Sequence, residues 1–258
     1  MILAIDIGNS NIKAGVFDGD RRVEAIRLSS ESRKTGDEYG KTLTDILISK
    51  GIAPKMIDDI IMCSVNPDLN YTIGNMCRFY FGKDPMVIGP GLKCGLNIKY
   101  DNPHELGADR LVAAVAGATL YGAPCIVIDC GTATTFNVVS AKKEFLGGAI
   151  CPGIRTAAGS LYDNAAKLPR IELVRPEKVV GKTTITNMQS GIINGYIGLV
   201  EHMVREIKRE TGEAKVIITG GLSELVAKEG GVVDIVDRGL TLKGLNIIYR
   251  MNRLVGNT

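Results

Sequence analysis

The chain has 258 residues, 45% hydrophobic and 23% charged, which is ample for one large domain or two small ones around a substantial core. Its net charge of +3 is spread along the sequence with no basic run and no Phe or Tyr interleaved among Lys and Arg, so no nucleic-acid partner is expected. No basic region followed by a long apolar stretch opens the chain, because Asp6 interrupts the first apolar run, and neither a signal peptide nor a membrane span is expected.

Taken in order, residues 2–6, 12–17 and 23–28 read as three strands joined by turns, a meander whose second turn is Asp18-Gly19-Asp20. A helix over 37–49 follows, with Leu43, Ile46, Leu47 and Ile48 on its apolar face and Gly51 stopping it. Then come a strand at 57–63, a helix at 67–79 and a short strand at 86–88. Residues 89–107 carry loop punctuation, Gly-Pro-Gly at 89–91 and Asn-Pro at 102–103, and a loop of that length usually has a function. The alanine-rich stretch 108–121 reads as a helix leading into a second half.

That half repeats the theme with strands at 125–129, 134–139 and 144–150 and a helix over about 154–166. A long helix over 186–210 follows, with Met188, Ile192, Tyr196, Leu199, Met203 and Ile207 at steps of four or three. Gly191, Gly195 and Gly198 weaken it intrinsically, which points to a close approach there. A strand at 215–219, a Gly220-Gly221 turn, a short helix, a strand at 233–236 and a helix at 240–254 complete a duplicated α/β design, divided at 1–116 and 117–258.

The two halves share a motif. Asp6-Ile7-Gly8-Asn9-Ser10-Asn11 and Asp129-Cys130-Gly131-Thr132-Ala133-Thr134 each end an apolar run, and Asp to Asp and Gly to Gly are both 123 residues apart. Glycine lets backbone N–H groups approach an anion, and an aspartate can hold a cation that offsets phosphate charge. The pair suggests two half-molecules clamping one nucleotide, with Asp6 and Asp129 binding Mg²⁺ directly or through water. The alternative is that each aspartate caps its own turn. Lys13, on the strand leaving the first turn, either reaches a phosphate or is a solvated strand lysine.

Three further signals remain. Thr219-Gly220-Gly221 after an apolar strand admits a flat adenine or ribose against bare backbone, or is merely a tight connection. Asp109, at a helix start behind the long loop, is either a general base or an N-cap, and Arg110 is either a bidentate anion clamp or half of a surface salt bridge. Gly181-Lys182-Thr183 mimics the tail of a Walker A loop, but Pro176 stands where that motif needs glycine. Cys63, Cys77, Cys94, Cys125, Cys130 and Cys151 form no C-x-x-C pair, and with only His104 and His202 no Cys/His metal cluster is expected; buried thiols in a reducing cytoplasm are the plain reading.

With these residues assembled, the chain resembles the type III pantothenate kinases, a family of the acetate and sugar kinase, heat-shock chaperone and actin superfamily. The resemblance runs from Met1 almost to the C-terminus. Asp6, Ile7, Gly8, Asn9, Ser10, Asn11, Ile12 and Lys13 resemble the first phosphate motif, 129–134 the second, and 219–221 the adenosine motif. Asn102-Pro103 and Glu105 to Arg110 resemble the pantothenate-site signature. Residues 146–153, 167–169 and 188–191 are further matches. The departures are small: Ser10 stands where threonine is common, and cysteine occupies positions 130 and 151.

The resemblance implies two tandem ribonuclease H-like domains, each a mixed sheet with flanking helices, facing a central nucleotide cleft. It implies a homodimer to which the long second-half helix contributes. It also implies ATP-dependent phosphorylation of pantothenate to 4'-phosphopantothenate, the first step of coenzyme A synthesis, with Mg²⁺ and a monovalent cation, K⁺ or NH4⁺. By position, Asp109 would accept the proton, Asp129 would hold the monovalent cation, and Thr132, Gly220 and Gly221 would contact ATP. Tyr100, Gly107, Ala108, Asp109, Arg110 and Thr184 would contact pantothenate, Thr184 as a candidate contribution of the partner subunit. A nucleotide-binding accessory factor for transcription is the alternative of another class, and a kinase or phosphohydrolase of the same fold with another substrate is the nearer rival.

Overall fold

Successive residues of a strand face opposite sides of a sheet, and in the first strand both sides are apolar, which calls for helices on both faces. The computed structural model, described over residues 1–253, supplies them. Strands β1 (Ile2–Ile7), β2 (Asn11–Asp18), β3 (Arg21–Ser29), β4 (Asp59–Ser64) and β5 (Met86–Val87) form a sheet in the order β3-β2-β1-β4-β5. β1 pairs antiparallel with β2 and parallel with β4. Leu3, Ile5 and Ile7 pack against α1 (Gly36–Ser49) and α2 (Pro67–Phe81) through Tyr39, Leu43, Leu47, Leu69, Ile73 and Met76. Ala4, with Phe17, Ile61 and Cys63, faces the opposite layer, made by Val112 and Val115 of α3 (Ala108–Tyr121) and Leu242, Leu245 and Ile248 of α7 (Leu240–Arg253).

The capping of α1 explains its start. Thr35 accepts from the Glu38 N–H while the Glu38 side chain accepts from the Thr35 N–H, a reciprocal pair that satisfies two otherwise orphaned donors. Between β5 and α3 the expected loop contains a two-residue strand, β6 (Asn97–Ile98), and a single 3₁₀ turn, Pro103–Glu105, whose N-terminal Asn102 accepts from the His104 N–H.

The second sheet runs β11-β10-β7-β8-β9 through β7 (Cys125–Cys130), β8 (Ala133–Val139), β9 (Glu144–Pro152), β10 (Lys215–Gly220) and β11 (Ile235–Val236). Reading β7, β8, β9, β10 and β11 for β1 to β5 reproduces the order of the first sheet, so the duplication expected from the sequence holds at the level of topology. Ile126, Ile128, Cys130 and Phe136 pack against α5 (Thr184–Thr211), which contributes Ile193, Tyr196, Ile197, Val200 and Val204. The shorter α4 (Ile154–Asn164) and α6 (Ser223–Glu229) complete this unit. The long helix starts two residues before the apolar stripe suggests, because Thr183 and Thr186 cap it reciprocally.

Two compact units result, but their boundary differs from the sequence reading at one place. The second consists of Gly117–Gly239, whereas α7 belongs with Met1–Ala116. The reason is packing: the apolar face of α7 lies on β1, β2 and β4, and linear order alone does not reveal that return. The helix expected to reach Leu254 is seen to Arg253; Leu254 lies outside the described residues.

The seat of α7 depends on a missing side chain. A Cβ on Gly244 would lie 2.3 Å from the Val112 carbonyl oxygen and 2.8 Å from Val112 Cγ1, too close for any rotamer change to relieve. Gly244→Ala is expected to lower the unfolding free energy by about 1–3 kcal/mol, the usual cost of overpacking, as measured by urea denaturation.

Candidate active site

Three neighbouring strands of the first sheet place one residue each in a lateral row: Lys13 on β2, Asp6 on β1 and Cys63 on β4. All lie on the α3/α7 side, as the alternation from Ala4 to Asp6 requires. Asp6 is only 4% exposed, and a buried carboxylate must be compensated. Lys13 Nζ donates to its Oδ2 at 3.1 Å and Cys63 Sγ donates to Oδ1 at 3.4 Å. Lys13 is therefore a counter-ion of Asp6. Burial, with Asp6 and Asp109 nearby, pushes the Cys63 thiol well up, so it acts as a neutral donor.

Asp109 enters the same face from the first turn of α3. Burial raises its pKa; the Arg110 N–H, which donates to Oδ1 at 2.7 Å, lowers it, Asp6 raises it, and the Arg110 and Lys13 charges lower it. The result is a carboxylate that is more basic than usual yet supported in its ionised form. Arg110 itself is only 7% exposed, so a surface salt bridge is not its setting. Its guanidinium lies 5.8 Å from the Tyr100 ring centroid and donates to the Tyr100 hydroxyl at 3.4 Å. Tyr100, Gly107, Ala108, Asp109 and Arg110 are thus brought together with Asp6 and Lys13 in one unit. A Cβ on Gly107 would come within 2.8 Å of Asp109 Oδ1, so glycine there leaves that oxygen room.

The corresponding row of the second sheet is Thr135 on β8, Asp129 on β7 and Thr219 on β10. Where the first row offers a cation and a thiol, the second offers two hydroxyls. The turn here is one residue shorter: Ile7 pairs with Ile12 across four residues, but Cys130 pairs with Thr134 across three. The constant spacing of 123 therefore holds only on the incoming strands, and alignment by sequence alone would miss that Thr135 stands where Lys13 does.

Both turns are gripped from the third strand. Ser30, just past β3, donates from its N–H to the Ser10 carbonyl at 3.1 Å and from its hydroxyl to the Gly8 carbonyl at 2.6 Å. Gly153, just past β9, donates to the Thr132 carbonyl at 3.0 Å, joined by the Thr156 hydroxyl at 2.6 Å. A Cβ on Gly153 would sit 2.2 Å from the Gly131 carbonyl oxygen, which gives the glycine closing the 146–153 motif a physical reason. The tips, Asn9 and Ser10 in one turn and Gly131, Thr132 and Ala133 in the other, are exposed.

Gly220 is required by its own sheet. Its φ is +98°, and a Cβ would meet the Cys130 carbonyl oxygen at 2.5 Å and Asp129 Oδ1 at 2.7 Å. The same absence lets the backbone of β10 approach closely beside Asp129 Oδ1. Gly221 beside it is exposed. Thr184 is the first residue of α5 and is exposed. The 188–191 motif also acquires a role: Gln189 donates to the Glu172 carbonyl at 3.0 Å and Ser190 to the Val179 carbonyl at 2.5 Å, pinning the irregular segment before α5. No sequence pattern singled out Cys63, Ser30 or Thr156, because each looks like an ordinary strand, loop or helix residue until the register is known.

Among the described residues no group of three or more His, Cys, Asp or Glu side chains could hold a metal. No helix among the described residues is long and apolar enough to cross a membrane.

Comparison with known proteins follows the same lines. Among solved structures, one from Campylobacter jejuni named for the Baf family of transcriptional activators superimposes with a TM-score of 0.64 at 20% identity, covering 98% of this chain and 99% of that one. The activator of 2-hydroxyisocaproyl-CoA dehydratase from Clostridium difficile, solved with bound ADPNP, gives 0.58 at 13% identity over 100% and 97%. A ROK hexokinase from Thermus thermophilus gives 0.51 at 12% over 96% and 97%. At such identities the likeness speaks for fold, which is that of tandem ribonuclease H-like domains. A type III pantothenate kinase from Bacillus cytotoxicus is 47% identical over 256 residues, 99% of this chain and 98% of the relative. The sequence model of the family described as type III pantothenate kinase matches residues 2–206, and the chain belongs to that family of kinases.

Proposed function

We propose that the chain transfers the γ-phosphoryl group of ATP to the primary hydroxyl of pantothenate, giving 4'-phosphopantothenate and ADP, with Asp109 as the general base. The observation that carries this reading is the setting of Asp109: a partly buried carboxylate of raised basicity near the Asp6–Lys13 pair and next to Arg110, whose guanidinium lies over Tyr100. Asp109 takes the hydroxyl proton as that oxygen attacks the γ-phosphorus in line, and the bond to the β,γ-bridging oxygen breaks. Arg110 supplies a fixed cation and Tyr100 a flat wall for an anionic substrate. Residues 6–13, Thr132, Gly220 and Gly221 hold the nucleotide, so most of the acceleration comes from positioning and electrostatics.

The two aspartates take unequal parts. Asp6 already has a tethered cation in Lys13, whereas Asp129 is flanked in register by Thr135 and Thr219. That arrangement supports Asp129 as the holder of K⁺ or NH4⁺ and Asp6 as the residue toward Mg²⁺, each cation offsetting charge on the phosphate oxygens when bound. A homodimer in the cytoplasm completes the reading. Its support is the exposed face of α5, where a Cβ on Gly191, Gly195 or Gly198 would meet nothing within 4 Å. Sedimentation at twice the 27.6 kDa chain mass would bear the dimer out, and the single mass would overturn it. A regulator that only binds nucleotide would have no need of the Asp109 constellation.

Incubation with ATP, Mg²⁺, K⁺ and a panel of small alcohols should release ADP with pantothenate; release with another alcohol, or none, decides against this substrate. In that assay Asp109→Asn should lower kcat by roughly 10²- to 10⁴-fold while nucleotide binding survives. A base must be unprotonated, so the acid limb of kcat/KM should lie above the ordinary aspartate range, and Lys13→Met, by removing a charge that lowers the Asp109 pKa, should move that limb to higher pH. Asp129→Ala should abolish the response to added K⁺; a variant stimulated like the parent contradicts the cation role.

A further inference from the structure

The mechanism above leaves one buried hydroxyl of α5 without a task. Tyr196 is 6% exposed, and its hydroxyl forms a hydrogen bond with the side-chain oxygen of Thr134, which is wholly buried. The Cys130 side chain belongs to the same buried cluster as Tyr196. Cys130 and Thr134 are cross-strand partners, the last residue before and the first after the turn of Gly131, Thr132 and Ala133. One phenol thus reaches the outgoing end of the turn from below, on the face opposite Asp129. Gly153 and Thr156 hold the same turn by its carbonyl side.

Plain core packing does not explain this arrangement. Phe at 196 and Val at 134 would fill the same volume, and two hydroxyls buried against an apolar sheet are tolerated only because they satisfy each other. The turn itself is glycine-bearing and three residues long, and the holds from Gly153 and Thr156 both fall on the one Thr132 carbonyl. We propose that Tyr196 is a positioning residue for the nucleotide phosphates: by tying the Thr134 flank of the second turn to α5 it sets the presentation of the backbone at 131–133. This rests on the reading above that the second turn grips ATP.

The test separates the two. Equilibrium binding of ADP is measured by calorimetry for the parent and for Tyr196→Phe, with KM for ATP and for pantothenate alongside. Tyr196→Phe keeps the ring, so the expected result is about tenfold weaker ADP binding and a matching rise in KM for ATP, with KM for pantothenate little changed and the melting temperature lowered only by the loss of one buried hydrogen bond. Thr134→Val should give the same loss, Thr134→Ser should restore most of it, and the double variant should be no worse than either single one, because all act through one bond. Tyr196→Phe binding ADP as the parent does, or losses that multiply in the double variant, would overturn the inference alone. A parent chain that binds no ADP would overturn the kinase reading and this inference with it.

Discussion

The ionised side chain of Asp6 at the buried end of a central strand is the constraint around which the first unit is arranged. Such a charge is tolerated only when a cation and hydrogen-bond donors surround it, and here both come from adjacent strands in strict register, Lys13 from one side and Cys63 from the other. Register then fixes much else. A slip of one residue on β2 would turn Lys13 to the opposite face and leave a bare carboxylate under α3. The proximity of Asp109 follows too, since α3 must cover that face to bury Ala4, Ile61 and Cys63. Apolar packing and the placement of Asp109 thus follow from the same seating of α3.

The second unit uses the same scaffold for a different electrostatic task. Its strands follow the same order and its turn is gripped from the same direction, yet the row at the strand ends carries hydroxyls in place of lysine and thiol. Duplication preserved the geometry and changed the charge.

The sequence made some of this legible and hid the rest, for physical reasons. Period-two apolar runs and glycine-bearing turns are local signals, so the strands, the two aspartates and the second-half repeat could be read directly. The Asp6–Lys13 pair could not, because it depends on how many residues the hairpin contains, and the second hairpin differs by one. Tyr196 sits within the apolar stripe of its helix and reads as core until its hydroxyl is seen against Thr134. Gly153, Gly220 and Gly244 matter through backbone atoms distant in sequence. The fate of the last helix was hidden for a related reason: amphipathicity tells which face is buried but never against what.

That last helix has a bearing on how the protein is made. Residues of α7 complete one hydrophobic layer of the first sheet, so on a ribosome emitting the chain from its N-terminus the first unit stays open while all of 117–239 is synthesised. Ala4, Phe17 and Ile61 lack part of their cover until the final segment emerges. The intervening unit has its own core and can fold first, so assembly order is expected to run against chain order, with the earliest-made strands among the last to be sealed.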